Sequence, residues 1–326
     1  MSGIFACRGR KPAIRRRTAR FIPGADGKQA DPPMPSTRQI RARIRVAKNI
    51  QQITKAMKTV AAARLKRAQG RVQSARPYSE KMRDVMGSLA SAGAGSLSHP
   101  LLETRETDHP RVGVLVVGAD KGLCGSYSTN ILKKAMETIR QYPAEDVRVI
   151  AVGKKSYTFF RRRPYQLVAE YDINTGGPSF EQAQEIARKA RELFVSGEVD
   201  VLYLVYTKFL SALTQRPIVS QLLPIATDDI AGAAADVASR QEEYLFEPAA
   251  DQILGRLLPR YIDTQIYQAL VEAVASEHGS RMTAMSSATD NAGKMISGLT
   301  LSLNRARQAI ITKEIAEIVG GAEALK

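Results

Sequence analysis

A run of glycines after an apolar strand is the first place in this chain where chemistry could be done. Arg111–Gly118 (RVGVLVVG) reads as a buried strand and leads into GADKGLCGS, residues 118–126. Glycine turns at such a junction cradle phosphates, because backbone N–H groups come close and the following helix lends its positive end. The spacing here fits neither common cradle. A P-loop needs G-x-x-x-x-G-K-[ST], and that string occurs nowhere in the chain. A dinucleotide fingerprint needs G-x-G-x-x-G, whereas the glycines here are Gly118, Gly122 and Gly125. The next strand ends in Val152-Gly153-Lys154-Lys155, with no acid to hold a ribose. We read residues 118–126 as a tight strand-to-helix turn and expect no cofactor.

The remaining reactive side chains are sparse. The histidines are His99, His109 and His278, and the cysteines are Cys7 and Cys124. They form no metal-ligand spacing and no disulfide framework, so no metal site is expected. No nucleophile, histidine and acid can be grouped into a catalytic set. His278 falls on an apolar helical stripe and reads as a packed core residue. Asp228–Asp229 reads as a turn or helix cap between elements.

Two long helical stretches at opposite ends of the chain carry most of the pattern. Ser36 or Thr37 caps the first. Within it Ile40, Ile44, Ala47, Ile50, Ile53, Met57 and Val60 recur every three or four residues. Arg41, Arg43, Arg45, Lys48, Lys55 and Lys58 lie largely outside that stripe. With no proline before Pro77, roughly 40 residues can run as one helix of about 60 Å. A second helical region starts near Leu245, and its long helix follows Pro259. Its stripe is Val271, Val274, His278, Met282, Met285, Thr289, Ala292, Ile296, Leu299, Leu303, Ala306 and Ile310. The mean step is about 3.5 residues, the heptad period of a left-handed coiled coil. Several seam residues are small or polar, which lets two helices approach closely.

The segment between alternates strand and helix. Strands are expected at Arg111–Gly118, Val147–Gly153, Tyr165–Tyr171, Val199–Phe209 and Pro217–Ile225. Helices are expected at Ser126–Tyr142, Lys154–Arg163 and Ser179–Ser196. That order implies a partly parallel sheet with helices on its faces. The last two strands, with no helix between them, should pair antiparallel. The fold class is therefore α/β, a Rossmann-like central domain, plus an antiparallel coiled coil made by the N- and C-terminal helices. The expected divisions are a basic extension (1–35), an N-terminal coiled-coil helix (36–95) and an α/β domain (110–226). A linker with the start of the C-terminal helical region (227–258) and a C-terminal coiled-coil helix (259–326) complete them.

The 326 residues carry a net charge of +16, which calls for an anionic partner: nucleic acid, acidic lipid or an acidic protein surface. A basic coiled-coil nucleic-acid-binding protein is one reading of that charge. Against it, aromatics make up 6% of the chain, tryptophan is absent, and no DNA- or RNA-binding motif appears. No apolar run of about 18 residues exists to span a membrane. Residues 1–33 hold eight Lys/Arg against Asp26 and Asp31. They read as a disordered tail, as an organellar presequence, or as sequence ahead of a true start at Met34.

Four stretches resemble the gamma-subunit family of F-type ATP synthases. RQIRARIRVAKNIQQITKAMKTVAAARLKRAQ (38–69) is similar to the family's N-terminal helix, and ADKGLCGSYSTNI (119–131) to its glycine turn. EHGSRMTAMSSATDNAGKMI (277–296) and NRARQAIITKEIAEIVGGAEAL (304–325) are similar to its C-terminal helix. The resemblance implies a central rotor shaft whose coil rises into a hexamer of alternating alpha and beta subunits. It implies a foot on a ring of c subunits beside an epsilon subunit. ATP chemistry then belongs to the beta subunits, and this chain is non-catalytic. By the same resemblance, Arg307, Gln308 and Thr312 match positions that contact the beta-subunit catch loop. Met57, with Lys55 and Lys58, matches the region facing an acidic loop of beta. Peripheral attachment through the c-ring follows, on the cytoplasmic side of a bacterial inner membrane or, alternatively, the matrix side of a mitochondrial one.

Overall fold

The computed structural model describes residues 36–92, 99–105, 107–173, 176–225 and 250–323. The N-terminal extension, most of the expected loop at Ser91–Gly95 and the connector at 227–249 lie outside the described residues. Helix α1 spans Thr37–Ala92 and begins as its sequence suggests, with Gln39 N donating to Ser36 Oγ at 3.3 Å. Its length of 56 residues corresponds to about 84 Å. It runs through Pro77 nearly to the end of the expected helical division. Proline removes the bond to the carbonyl of Gln73, but both residues are exposed, so water can take the freed carbonyl. Buried Ser79, Met82, Met86 and Leu89 hold the turns beyond.

The sheet contains β1 (Val112–Val117), β2 (Val147–Val152), β3 (Gln166–Tyr171), β4 (Val201–Phe209) and β5 (Gln215–Leu223). Its order is β3-β2-β1-β4-β5, parallel except for the antiparallel β4–β5 pair. Helices α2 (Tyr127–Ile139), α3 (Lys154–Phe160) and α4 (Phe180–Val195) connect the parallel strands. Phe160, Ile131, Ala135 and Ile139 of α2 and α3 pack on one face of the sheet. On the other face, α4 and the long helix α5 (Ala250–Glu323) bury Ile186, Phe194, Leu258, Ile262 and Ile266, joined by Met86 and Leu89 of α1. Helix α5 therefore starts before Pro259 and crosses it. The turn is fastened from outside, where Arg191 donates to the Pro259 carbonyl at 3.0 Å and pairs with Asp263.

The α1 seam departs from the expected stripe. Its most buried line is Ile40, Ala47, Thr54, Ala61 and Ala68, one residue every seven, continuing to Met82 and Leu89. Ile50, Ile53 and Val60, expected in the seam, are 48%, 58% and 53% exposed. The heptad frame passes through small and polar residues here, and the bulkier apolar ones stand beside it. On α5 the expected line holds. Val271, Val274, Met285 and Ala292 are buried, and His278, Met282, Thr289, Ile296, Leu299, Leu303 and Ala306 are half-buried. Ile310 breaks it, because α1 begins at Thr37 among the described residues and offers nothing opposite. Residues 307–322 are all exposed, a lone helix of about 24 Å.

One ion pair fixes the edge where β1 and β4 begin. Asp200, almost fully buried, accepts from Arg111 N at 2.9 Å and from the Arg111 guanidinium at 3.1 and 3.2 Å. Burial pushes the Asp200 carboxyl up, but the Arg111 bonds outweigh it and hold the group below the ordinary carboxylate range. A depressed folded value means stability that is present above the unfolded pKa and lost as pH falls through the folded one. Asp200→Ala should therefore cost about 3 kcal/mol at pH 7, read as a lower urea midpoint. The gap to the parent should close below about pH 3.

Candidate functional site

In a doubly wound sheet the ligand crevice opens at the carboxyl ends of the strands, where the strand order reverses. Here that point lies between β1 and β4, and α5 fills it. Tyr127 Oη donates to the Ala273 carbonyl at 3.1 Å, and Ser276 Oγ to the Thr207 carbonyl at 3.1 Å. Phe209 N donates to Glu272 Oε2 at 3.2 Å, and Ser280 Oγ to the Cys124 carbonyl at 2.8 Å. Tyr127, Glu272 and Ser276 are buried, and burial pushes the Tyr127 hydroxyl far above its ordinary pKa. The crevice that would hold a cofactor is a joint between the α/β domain and the shaft.

The glycine turn is built for the same joint. Leu123 and Gly125 both have left-handed backbones, with φ of 62° and 57°. A Cβ on Gly125 would lie 3.6 Å from that of Ala284 on α5. The turn presents carbonyl oxygens to α5. Arg281 Nη2 donates to the Lys121 carbonyl at 3.2 Å and to that of Gly122 at 3.3 Å. The turn thus serves a contact within the chain. Arg281 also pairs with Glu277 and lies 3.1 Å from His278 Nδ1. Burial raises the Glu277 pKa against the opposing pull of Arg281. Burial, with Arg281, Arg64, Arg67 and Lys121 nearby, lowers that of His278 to about 4. His278 is thus a neutral partner in a buried network, in keeping with its place on the apolar stripe. Among the described residues no group of three or more His, Cys, Asp and Glu could hold a metal ion.

The residues singled out by resemblance fall into two sets that the fold keeps apart. Lys55 and Lys58 are exposed on α1, Met57 is half-buried between them, and Lys58 Nζ reaches Ser286 Oγ on α5 at 3.0 Å. Arg307, Gln308 and Thr312 stand exposed on the lone end of α5, about 32 Å further along that helix. Composition alone did not mark two further surfaces. Val46, Ile50, Ile53 and Val60 form an exposed apolar row on α1 beside the seam. Ile310, Ile311, Ile315, Ile318 and Val319 are 46–72% exposed on the tip of α5. Their three- and four-residue spacing was visible in the sequence, but only the heptad frame shows that the rows stay uncovered among the described residues.

Comparison with known proteins agrees on one family. A family model described as ATP synthase matches residues 36–325. The ATP synthase gamma chain of Heliobacterium modesticaldum is 51% identical over 294 residues, covering 90% of this chain and all of that one. The gamma chain of Pelotomaculum thermopropionicum is 49% identical over the same length and coverage. Among solved structures, a chain of the Euglena gracilis mitochondrial ATP synthase (OSCP/F1/c-ring, rotational state 3) superposes with a TM-score of 0.59 at 19% identity, covering 89% of this chain and 94% of that one. A chain of the central stalk and c-ring of the Tetrahymena thermophila mitochondrial enzyme gives 0.53 at 24% identity, with 72% and 99% covered. The two structures share the fold. The chain belongs to the ATP synthase gamma-chain family.

Two tests address the joint. Arg281→Ala leaves a buried carboxylate and two turn carbonyls without their donor and should cost about 3 kcal/mol in denaturant. Arg281→Met with Glu277→Gln removes the charge from both sides and should recover at least half of that loss. His278 binds its proton more tightly in the unfolded chain, so it stabilises fully above pH 6.5 and loses that contribution as pH falls toward 4. His278→Gln should flatten the stability profile between about pH 6.5 and 4.5.

Proposed function

We infer from this family membership that the chain is the rotating central shaft of an F-type ATP synthase, coupling ion flow through a membrane ring to ATP synthesis and hydrolysis. The observation that carries the reading is a two-helix shaft that fills the crevice at the strand ends of its own sheet. Residues 307–322 stand exposed as a single helix, and the rows on α1 and α5 are left uncovered among the described residues. Such rows call for a protein collar around them. The basic face of α1 suits an acidic collar, which gives the net charge of +16 a partner without nucleic acid.

The collar is a hexamer of alternating alpha and beta subunits. The α/β domain and the lower coil form the foot, resting on the c-ring beside epsilon. Residues 36–95 and 259–326 serve as the shaft, 110–226 as the foot, and 227–258 join them. The chain is non-catalytic, since ATP chemistry belongs to the beta subunits. Support comes from the filled crevice and from a turn whose carbonyls face inward. Among the described residues no helix is long and apolar enough to cross a membrane, so attachment is peripheral and runs through the c-ring. The bacterial relatives favour the cytoplasmic side of a bacterial inner membrane over the matrix side of a mitochondrial one.

The mechanism is population shift by an asymmetric axle. Three equivalent catalytic sites meet different faces of one shaft, so each orientation favours a different site conformation. Arg307, Gln308 and Thr312 touch the beta catch loop, and Lys55, Met57 and Lys58 face its acidic loop. An exposed arginine on a single helix has no neighbour of its own to lose, so its removal acts on the partner contact and spares the fold.

Arg307→Ala should lower steady-state ATPase of the assembled complex several-fold with the shaft still folded. Unchanged turnover and torque would refute the coupling role. Residues 34–326, co-expressed with alpha and beta subunits and carrying a bead on an engineered surface cysteine, should rotate in steps during hydrolysis. Hydrolysis without rotation would overturn the shaft reading.

A further inference from the structure

We propose that Thr54 and Thr289, with Lys58 and Ser286 beside them, are positioning residues that pin the axial register of the two shaft helices. Thr289 Oγ1 lies 2.8 Å from Thr54 Oγ1 across the seam, where Thr54 is buried. Each hydroxyl also has a carbonyl in its own helix: Gln51 O at 3.1 Å for Thr54 and Met285 O at 2.7 Å for Thr289. The two hydroxyls share two protons among three contacts, so the cross-seam arrangement, Thr289 donating to Thr54 and Thr54 to Gln51 O, competes with Thr289's own bond to Met285 O. One turn away, Lys58 Nζ donates to Ser286 Oγ at 3.0 Å. On the other side Gln51 lies over Gly293, where a Cβ would come within 3.2 Å of its Nε2. Three consecutive seam layers are therefore polar or backbone-tight.

The alanine layers beside them discriminate register weakly by shape, and the bulkier α1 contacts at Leu65, Val72 and Met86 lie nearer the foot. Ala47, Ala61, Ala68 and Ala292 are buried seam residues with no knob long enough to reject a neighbouring hole. A seam repeating every seven residues can slip by a whole heptad and keep its face. Such a slip moves α5 about 10 Å along α1. It would bring Met282 or Ile296 opposite Thr54 and a glycine opposite Lys58. Only the native register joins the two hydroxyls and gives Lys58 an acceptor. Polar seam residues that select one register at some cost in stability are the best-attested use of such groups.

The consequence for coupling rests on the shaft reading. α5 is held at the foot by its own bonds to the sheet, so this layer sets the height of α1, with its exposed row Val46, Ile50 and Ile53, against the α5 tip. Neither threonine touches the collar in this account, so both act through those exposed residues.

The test is a distance measured on the full chain, with spin labels at Arg43→Cys and Ser302→Cys, both exposed, in a Cys7→Ser background. The parent and Thr289→Ser, which keeps the hydroxyl, should each show one distance. Thr54→Val with Thr289→Val fills the layer with apolar groups of similar volume and should stay folded. It should show a broader distribution or a second population shifted by several Å, less than the slip itself, because the labels start nearly opposite each other across the seam. In the assembled complex the same double variant should pump at least twofold fewer ions per ATP while still hydrolysing it. A single unshifted distance in the double variant overturns the register pin. A broader distribution or second population with unchanged pumping per ATP overturns the positioning role. Failure of the parent chain to assemble with alpha and beta would instead overturn the shaft reading, leaving the distance to decide the register alone.

Discussion

Everything in this molecule depends on how closely α1 and α5 approach. The closest part of their seam is lined by alanine, glycine and threonine, not by leucine. Small residues bring two helices together and increase contact between backbones, but each buries little apolar area. Cohesion must then come from length, and both helices are many times longer than an ordinary three-turn helix. The same length explains why two prolines are tolerated. Losing one turn's hydrogen bond matters little where Met86, Leu89, Leu258 and Ile262 lock the helix to the sheet on the far side of the break.

A second consequence concerns the α/β domain. A parallel sheet needs cover on both faces, and on one face α4, α5 and the end of α1 supply it. Folding the domain therefore captures α5, and the crevice at the strand ends is consumed in the capture. Buried polar groups make the capture specific. Glu272 meets the Phe209 amide, Ser276 the Thr207 carbonyl, and Arg281 the turn carbonyls. A slip of α5 against the sheet would leave several of these groups buried and unpaired, each costing about 1–3 kcal/mol. The shaft is thus indexed twice along its length, at the sheet and at the threonine layer.

Much of this was legible in the sequence, and the misses have physical causes. The five strands, the antiparallel last pair and the α5 stripe could be read because apolar runs and heptads are local signals. The α1 seam was misread through Ile50, Ile53 and Val60, because apolarity marks what wants to be covered without saying by what. In a self-contained coil the two coincide, whereas in a shaft made for a collar they diverge. Pro259 looked like a boundary because the packing that offsets it is long-range. The contact the glycine turn makes, offering carbonyls to Arg281, has no local signature. Arg281 lies some 160 residues downstream, and nothing near the turn announces it.

Transmission of force follows from where the charges are buried. Exposed ion pairs such as Lys313–Glu317 and Lys134–Glu137 are worth little in water and cannot stiffen a joint. The pairs at the joint are different. Glu277–Arg281 and Arg191–Asp263 are shielded from solvent, and each is tied to backbone carbonyls as well as to its counter-charge. A torque applied at the foot would have to break the Arg191–Asp263 pair and Arg281's bonds to the turn carbonyls before it could turn the domain about α5. Beyond Ala306 no such link exists among the described residues, and the helix must resist bending by its own hydrogen bonds alone. The molecule is stiffest where the sheet grips α5 and most pliant at the tip. A rotor that must deliver force from its foot and yet let its end follow three changing partners needs that gradient.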